Sequence, residues 1–246
     1  MTMTLNREKL KDLKNDGFNE MTHAFIAAKY YVHLTDMFGE RGKNAFIHGT
    51  QYYAQTRGRR MAQKAIRDGK ELTYETYMAY GEWINTSFTI DNQLSNTSEL
   101  KENNSDYIIH IDRCPWHAQF LKMDLLEAGH VYCTHLDNSI CRGFNPYLTY
   151  DVEQTLYEGE SCIHKVKNQY SDGVAKISKK EEYLKDWDYH CGHSYWAYNE
   201  ITASIFGEEG EAVNQKVLKD FKEEYGQKMA DKLVSYKFTN FNVIAY

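Results

Sequence analysis

Apolar residues recur at helical spacing over 22–37, where Phe25, Ala28, Tyr31 or Val32, and Thr35 fall on one side and Gly39 offers a stop. A second helix is predicted over about 41–68 and a third over about 73–86, the third opened by a Thr-Tyr-Glu-Thr cap region. Gly49 and Gly58 inside the second cost about 1 kcal/mol each against Ala, which predicts close packing or backbone beside a ligand. Residues 92–105 are polar and turn-rich and predict an exposed loop. The period then changes. Residues 107–111 predict a strand, Pro115 opens a helix reaching about Ala128 with Gly129 ending it, and 130–136 predict a second strand. Over 148–157, Leu148, Tyr150, Val152 and Leu156 alternate with polar residues. After a Glu158-Gly159 turn, 161–167 return with Cys162, His164 and Val166 on one face, predicting a hairpin. Helix resumes over 178–237, interrupted near 207–210, and 241–244 predict a last strand.

These elements predict one α+β domain over 1–246: helical ends over 7–90 and 178–237, the loop 92–105, and a central antiparallel sheet over 106–168. The two ends resemble each other. At a constant offset of 168, eight of the 28 positions in 38–65 match 206–233, among them Phe38/Phe206, Gly39/Gly207, Gly42/Gly210 and Gly58/Gly226. Chance supplies roughly two at ordinary residue usage. Two similar helix–turn–helix units are therefore expected to flank the sheet and to pack around it.

Composition narrows the function. The chain holds 20 Tyr, 11 Phe and 4 Trp, so the core is expected to be aromatic and hydrogen-bonded. A mean hydropathy of −0.69 with no long apolar run excludes a membrane-spanning helix. A net charge of −6 without a basic cluster argues against nucleic acid as partner. The first ten residues lack the apolar stretch of a signal peptide, and five Cys is an odd count, so reduced thiols and a cytoplasmic location are expected. Only two Pro occur, in Cys114-Pro115-Trp116 and Phe144-Asn145-Pro146.

Candidate chemistry concentrates between these prolines. On a strand, Cys133, His135 and Asp137 would share one face. A thiol, an imidazole and a carboxylate suit a nucleophile, its base and an orienting group. The same trio also fits a structural role (a buried thiol, a backbone-bonded His, a capping Asp) or a metal site, though Cys-x-His is not a closed zinc pattern. Arg142 is a candidate clamp for a substrate carboxylate and Asn145 a candidate donor to a carbonyl. Cys162, Trp116 and His193 are candidates for the pocket wall. His190 and His193 share a helix face, as a metal pair or as core.

The block 114–166 resembles the L-2-amino-thiazoline-4-carboxylic acid hydrolase family. The resemblance rests on Cys114-Pro115-Trp116, Cys133-Thr134-His135-Leu136-Asp137, Gly143-Phe144-Asn145-Pro146 and Gly159-Glu160-Ser161-Cys162. It implies a hydrolase that opens a small cyclic C–N substrate such as a thiazoline, amide or amidine ring. On that basis Cys133 attacks or positions a water, His135 moves the proton, Asp137 orients it and Asn145 stabilises oxyanion charge. Metal-dependent chemistry and a non-catalytic small-molecule sensor are the alternatives. No cofactor is expected. The expected partner is a small-molecule substrate, and the aromatic, Met-bearing helices offer a surface for a homodimer.

Overall fold

The computed structural model describes residues 6–101, 105–169 and 177–244. Its elements are α1 (Arg7–Lys11), α2 (Glu20–Phe38), α3 (Glu40–Arg67), α4 (Tyr74–Ala79), α5 (Ser87–Asp91), β1 (Thr97–Lys101), β2 (Tyr107–Arg113), α6 (Pro115–Met123), α7 (Leu126–Phe144), β3 (Tyr150–Gln154), β4 (Cys162–Val166), α8 (Trp187–Phe206), α9 (Glu208–Tyr225) and α10 (Gln227–Ser235). The class is α+β, with helical units at both ends of a mid-chain antiparallel sheet.

The repeat is a repeat of structure. α2 and α3 meet at Gly39 with φ +57° and ψ −131°; α8 and α9 meet at Gly207 with φ +58° and ψ −130°. Glycine adopts that left-handed turn without a Cβ penalty. The units pack on each other through equivalent aromatics. Tyr30 stacks on Tyr198 at 4.9 Å between centroids, and Phe38 on Phe206 at 3.7 Å with planes 2° apart. The two units flank the sheet in the chain, as expected. They pack on each other through these aromatics, and α3 of the first unit also faces the sheet across the cavity described below.

Helix α7 stands where the sequence predicted a strand over 130–136. Val131-Tyr132-Cys133-Thr134 has strand-forming residues. The buried positions Ala128, Tyr132, Leu136, Ile140 and Phe144 nevertheless recur every fourth residue, a helical stripe that packs on α3. Tertiary burial outweighs local propensity here. Gly129, read as a helix end, lies inside α7. A Cβ there would sit 2.2 Å from the Tyr157 hydroxyl.

The α3–α7 approach depends on Gly58, whose missing Cβ would lie 2.0 Å from the Ile140 carbonyl oxygen and 2.7 Å from the Phe144 nitrogen. Those are backbone atoms of a packed helix and cannot step aside. Gly58→Ala is therefore expected to cost about 1–3 kcal/mol or more by overpacking. Gly17→Ala, with nothing within 4 Å of the new methyl, should stay within about 0.5 kcal/mol of the parent. Urea unfolding of both variants checks the contrast.

The sheet order is β1-β2-β4-β3, antiparallel throughout. The hairpin expected over 148–167 is β3 and β4. Register places Ile111 opposite Cys162, Ile109 opposite His164, and Val152 opposite His164 on the other side. Cys162, His164 and Val166 share one face, as their alternation predicted, and that face is buried. The loop expected over 92–105 contains β1, paired to β2. The helix expected over 73–86 stops at Ala79. No strand forms at 241–244. Phe241 is instead buried, and its carbonyl accepts from Arg60 Nη1 at 2.6 Å. Among the described residues no helix is long and apolar enough to cross a membrane.

Candidate active site

One face of the sheet, the first turn of α6, the middle of α7, α4 and one side of α3 enclose a cavity of about 290 Å³. Its floor from the sheet is Ser98, Ile109, Ile111, Tyr150, Cys162 and His164. Of the residues expected at the site, Cys133, Asp137, Cys162 and Trp116 line this cavity. Cys133 and Asp137 do so because they are one helical turn apart on α7; the strand-face reasoning behind them is corrected. His135 lies between them in sequence, about 200° around the helix from each, and is not among the lining residues.

The other expected residues also sit elsewhere. Arg142 is exposed near the end of α7. Asn145 closes α7: its Nδ2 donates to the Leu72 carbonyl at 2.7 Å and its Oδ1 accepts from the Tyr147 N–H at 3.0 Å. His193 is 1% exposed and bonded in the core between α3 and α8. Arg60 Nη1 donates to its Nδ1 at 3.3 Å, which leaves Nε2 to donate to Thr56 Oγ1 at 2.9 Å. Its neighbour His190 donates from Nε2 to the Glu82 carbonyl at 3.0 Å. Among the described residues no group of three His, Cys, Asp or Glu side chains is placed to hold a metal ion.

The thiols in the cavity are neutral. Burial pushes the Cys114 thiol up to about 11 and Cys162 up to about 12. Cys133 lies well above the usual thiol range, through burial first and then through Cys114, Cys162 and Asp137. Cys114 does cap the N-terminus of α6, where the His117 and Trp116 N–H groups draw its pKa down, but burial outweighs them.

Two other groups are placed for proton chemistry. Asp137 is half-buried, and its carboxylate takes no hydrogen bond and no ion pair from a described residue. His164, on β4, is 4% exposed, and its Nδ1 lies 2.8 Å from the Tyr150 hydroxyl. Burial, with the Asp137 charge adding to it, holds that phenol protonated far above its usual range. The phenol can donate to Nδ1 or accept from it; where it donates, the proton of neutral His164 sits on Nε2. Burial lowers the His164 pKa, while the charge of Asp137 pulls it back up. The sequence placed His164 on one strand face with Cys162 and Val166 but, taken singly, it read as solvent-facing, and His135 was preferred.

Two cations line the same cavity and were not foreseen. Arg57 projects from α3, and Lys179 from the segment before α8. Burial and the charge of Arg57 bring the Lys179 ammonium down to about 8. Lys179 Nζ donates to the Trp83 carbonyl and lies 4.3 Å over the Trp83 ring. Arg57, Arg60 and Lys64 recur at helical spacing along α3. As sequence alone that stripe reads as a solvated face, since only burial makes it unusual.

Beside the cavity, Glu82 is fully buried. It accepts from Arg60 Nη2 at 2.7 Å and from Lys64 Nζ at 2.8 Å. Burial pushes its carboxyl up, but the two cations pull harder and hold it at about 2. The site is thus a partly apolar chamber with a carboxylate unpaired among the described residues, a buried imidazole hydrogen-bonded to Tyr150, and two cations in its lining.

The sequence that builds this chamber matches a known family. A family model described as L-2-amino-thiazoline-4-carboxylic acid hydrolase matches residues 18–163, more than half of the chain. The chain belongs to this family. The matched span carries Arg57, Cys114, Cys133, Asp137 and Cys162, while His164 and Lys179 fall beyond its end. Neither the curated proteins nor the solved structures yield a significant match.

Proposed function

We propose that the chain hydrolyses a small cyclic C–N substrate, a thiazoline or related amidine ring, with water as the attacking group. The observation that carries this reading is the unpaired Asp137 carboxylate facing the same cavity as His164. A carboxylate without a partner is free to accept a proton from water. An imidazole whose Nδ1 is occupied by Tyr150 presents Nε2–H as a donor.

In the proposed step, water adds to the ring carbon of the C=N bond. Its proton passes by way of Asp137 to the ring nitrogen, which the His164 Nε2–H steadies with a hydrogen bond. The adduct's hydroxyl then becomes a carbonyl as a ring bond at the same carbon breaks. The hydroxyl proton passes by way of Asp137 to the departing atom, so both protons of one water are placed and the net change is addition of one water. Trp83, Trp116, Tyr77 and Tyr132 wall the chamber and limit competing solvent.

The elevated thiols support a water route over a thiolate route, with Cys133 as a neutral wall residue. Cys133→Ala is therefore expected to keep kcat/KM for 2-amino-thiazoline-4-carboxylate opening within about tenfold, under roughly 1.4 kcal/mol of barrier. Iodoacetamide at neutral pH should leave the parent active. Loss of turnover in Cys133→Ala at unchanged melting temperature would restore the thiol as nucleophile. Binding without turnover in the parent would favour a sensor.

A further inference from the structure

Among the described residues the cations at the cavity are not balanced by an equal number of carboxylates around Glu82. Arg57, Arg60 and Lys64 are 7%, 1% and 4% exposed and surround Glu82. Both Glu82 oxygens are already engaged by Arg60 and Lys64. Arg57 Nε is 4.0 Å from Glu82 Oε2, too long for a hydrogen bond, and is buried without a partner. No described residue accepts a hydrogen bond from the Arg57 guanidinium, although it lines the cavity. A buried guanidinium left unsatisfied is costly, and its planar fork fits a carboxylate.

Lys179 adds a second charge to the same chamber, immediately before a segment anchored at Lys180 and Lys185. The Lys180 N–H donates to the Ala79 carbonyl at 2.9 Å, and the Lys185 N–H to the Glu82 carbonyl at 2.8 Å. Asp68 accepts from Lys180 Nζ at 3.1 Å and from the Tyr183 hydroxyl at 2.7 Å. The Lys179 stem lies against Gly81, where a Cβ would stand 3.0 Å from its Cε. The ammonium is therefore held at the cavity by the anchored backbone that follows it and by its own bond to the Trp83 carbonyl.

We propose that Arg57 and Lys179 form an anion subsite that receives a carboxylate carried on a flat ring, with the ring lying against Trp83 and Trp116 and its opposite end turned to Asp137. The proposal rests on the reading of this cavity as the substrate site. It adds which residues select an acid over a neutral ring. A carboxylate there would complete the Arg57 fork, and it would offset the excess of three cations over one carboxylate around Glu82 together with Lys179.

The test uses benzoate and benzamide as probes of matched shape on the full chain, with binding read by calorimetry and by melting temperature. Benzoate is expected to bind about 10- to 100-fold tighter than benzamide, the discrimination that charge-assisted hydrogen bonds supply. Arg57→Met and Lys179→Met should each shrink that ratio towards one. Arg57→Lys, which keeps the charge and loses the fork, should retain only part of it. Asp137→Asn should leave the ratio intact. Equal binding of the two probes by the parent overturns the subsite, as does a full preference surviving in Lys179→Met and Arg57→Lys. If Arg57→Met fails to fold, those two variants decide. A benzoate preference without turnover of any cyclic amidine sinks the reaction and leaves the subsite standing. Turnover of neutral rings as fast as carboxylated ones, without a benzoate preference, does the reverse.

Discussion

Asp137→Asn is expected to lower kcat/KM for ring opening by about 10²–10⁴-fold, the range a positioned general base contributes. The isosteric amide removes the proton acceptor and little else. Asp137 makes no hydrogen bond or ion pair with a described residue, so no structural partner is orphaned. Thermal stability should therefore stay within about 0.5 kcal/mol of the parent, and substrate affinity should persist. Steady-state kinetics set beside a melting curve separates the outcomes. Loss of activity together with loss of stability would mean a structural role, and retained activity would remove Asp137 from the chemistry. His135→Ala is the contrast within the same helix, and its activity should be nearly unchanged, because that side chain does not reach the cavity.

Glu82→Gln should be the most damaging conservative change for folding, about 3–5 kcal/mol, because it leaves buried cations without their counter-charge. Its pH signature is specific. The Glu82 carboxyl sits at about 2 in the fold against 4.5 unperturbed. A lowered carboxyl stabilises above the unfolded value and loses that contribution as pH falls from about 4.5 to about 2. His23, His190 and His193 act earlier. Burial keeps all three below the usual 6.5, with His190 at about 3. The unfolded chain takes up those protons first, so stability declines as pH drops below 6.5. Urea midpoints followed from pH 8 to pH 2 should show both losses in the parent and only the upper one in Glu82→Gln. A variant whose acid limb matches the parent below pH 4.5 would contradict the assignment.

Much of the framework was readable from spacing. The helical repeat, its Gly turns and the β3–β4 hairpin follow from periodicity and turn residues, which act locally. α7 was not readable, because Val131 to Thr134 favour a strand while the fourfold stripe from Ala128 to Phe144 has meaning only against α3. Cys133 and Asp137 were therefore found through a strand face that does not exist, and they share the cavity because five residues apart inclusive is one helical turn. Asn145 and His193 were singled out for their chemistry, but they are held in bonds that cap a helix and fix the core. Arg57 and Lys179 were invisible for the opposite reason. A cation in a polar segment looks solvated until neighbours from other elements bury it.

The aromatic contacts between the two helical units carry one more consequence. In an isologous pairing, residues on the two-fold axis touch their own equivalents. Tyr30 on Tyr198 and Phe38 on Phe206 do this inside a single chain. The surface through which such a hairpin would join an identical partner is already occupied in cis. The two halves then diverge at one equivalent glycine. Gly58 stays helical and admits α7, whereas Gly226, at φ +84°, ends α9. An internal dimer built from matching halves thus has an asymmetric outcome, since only the half that keeps its long helix can carry a chamber.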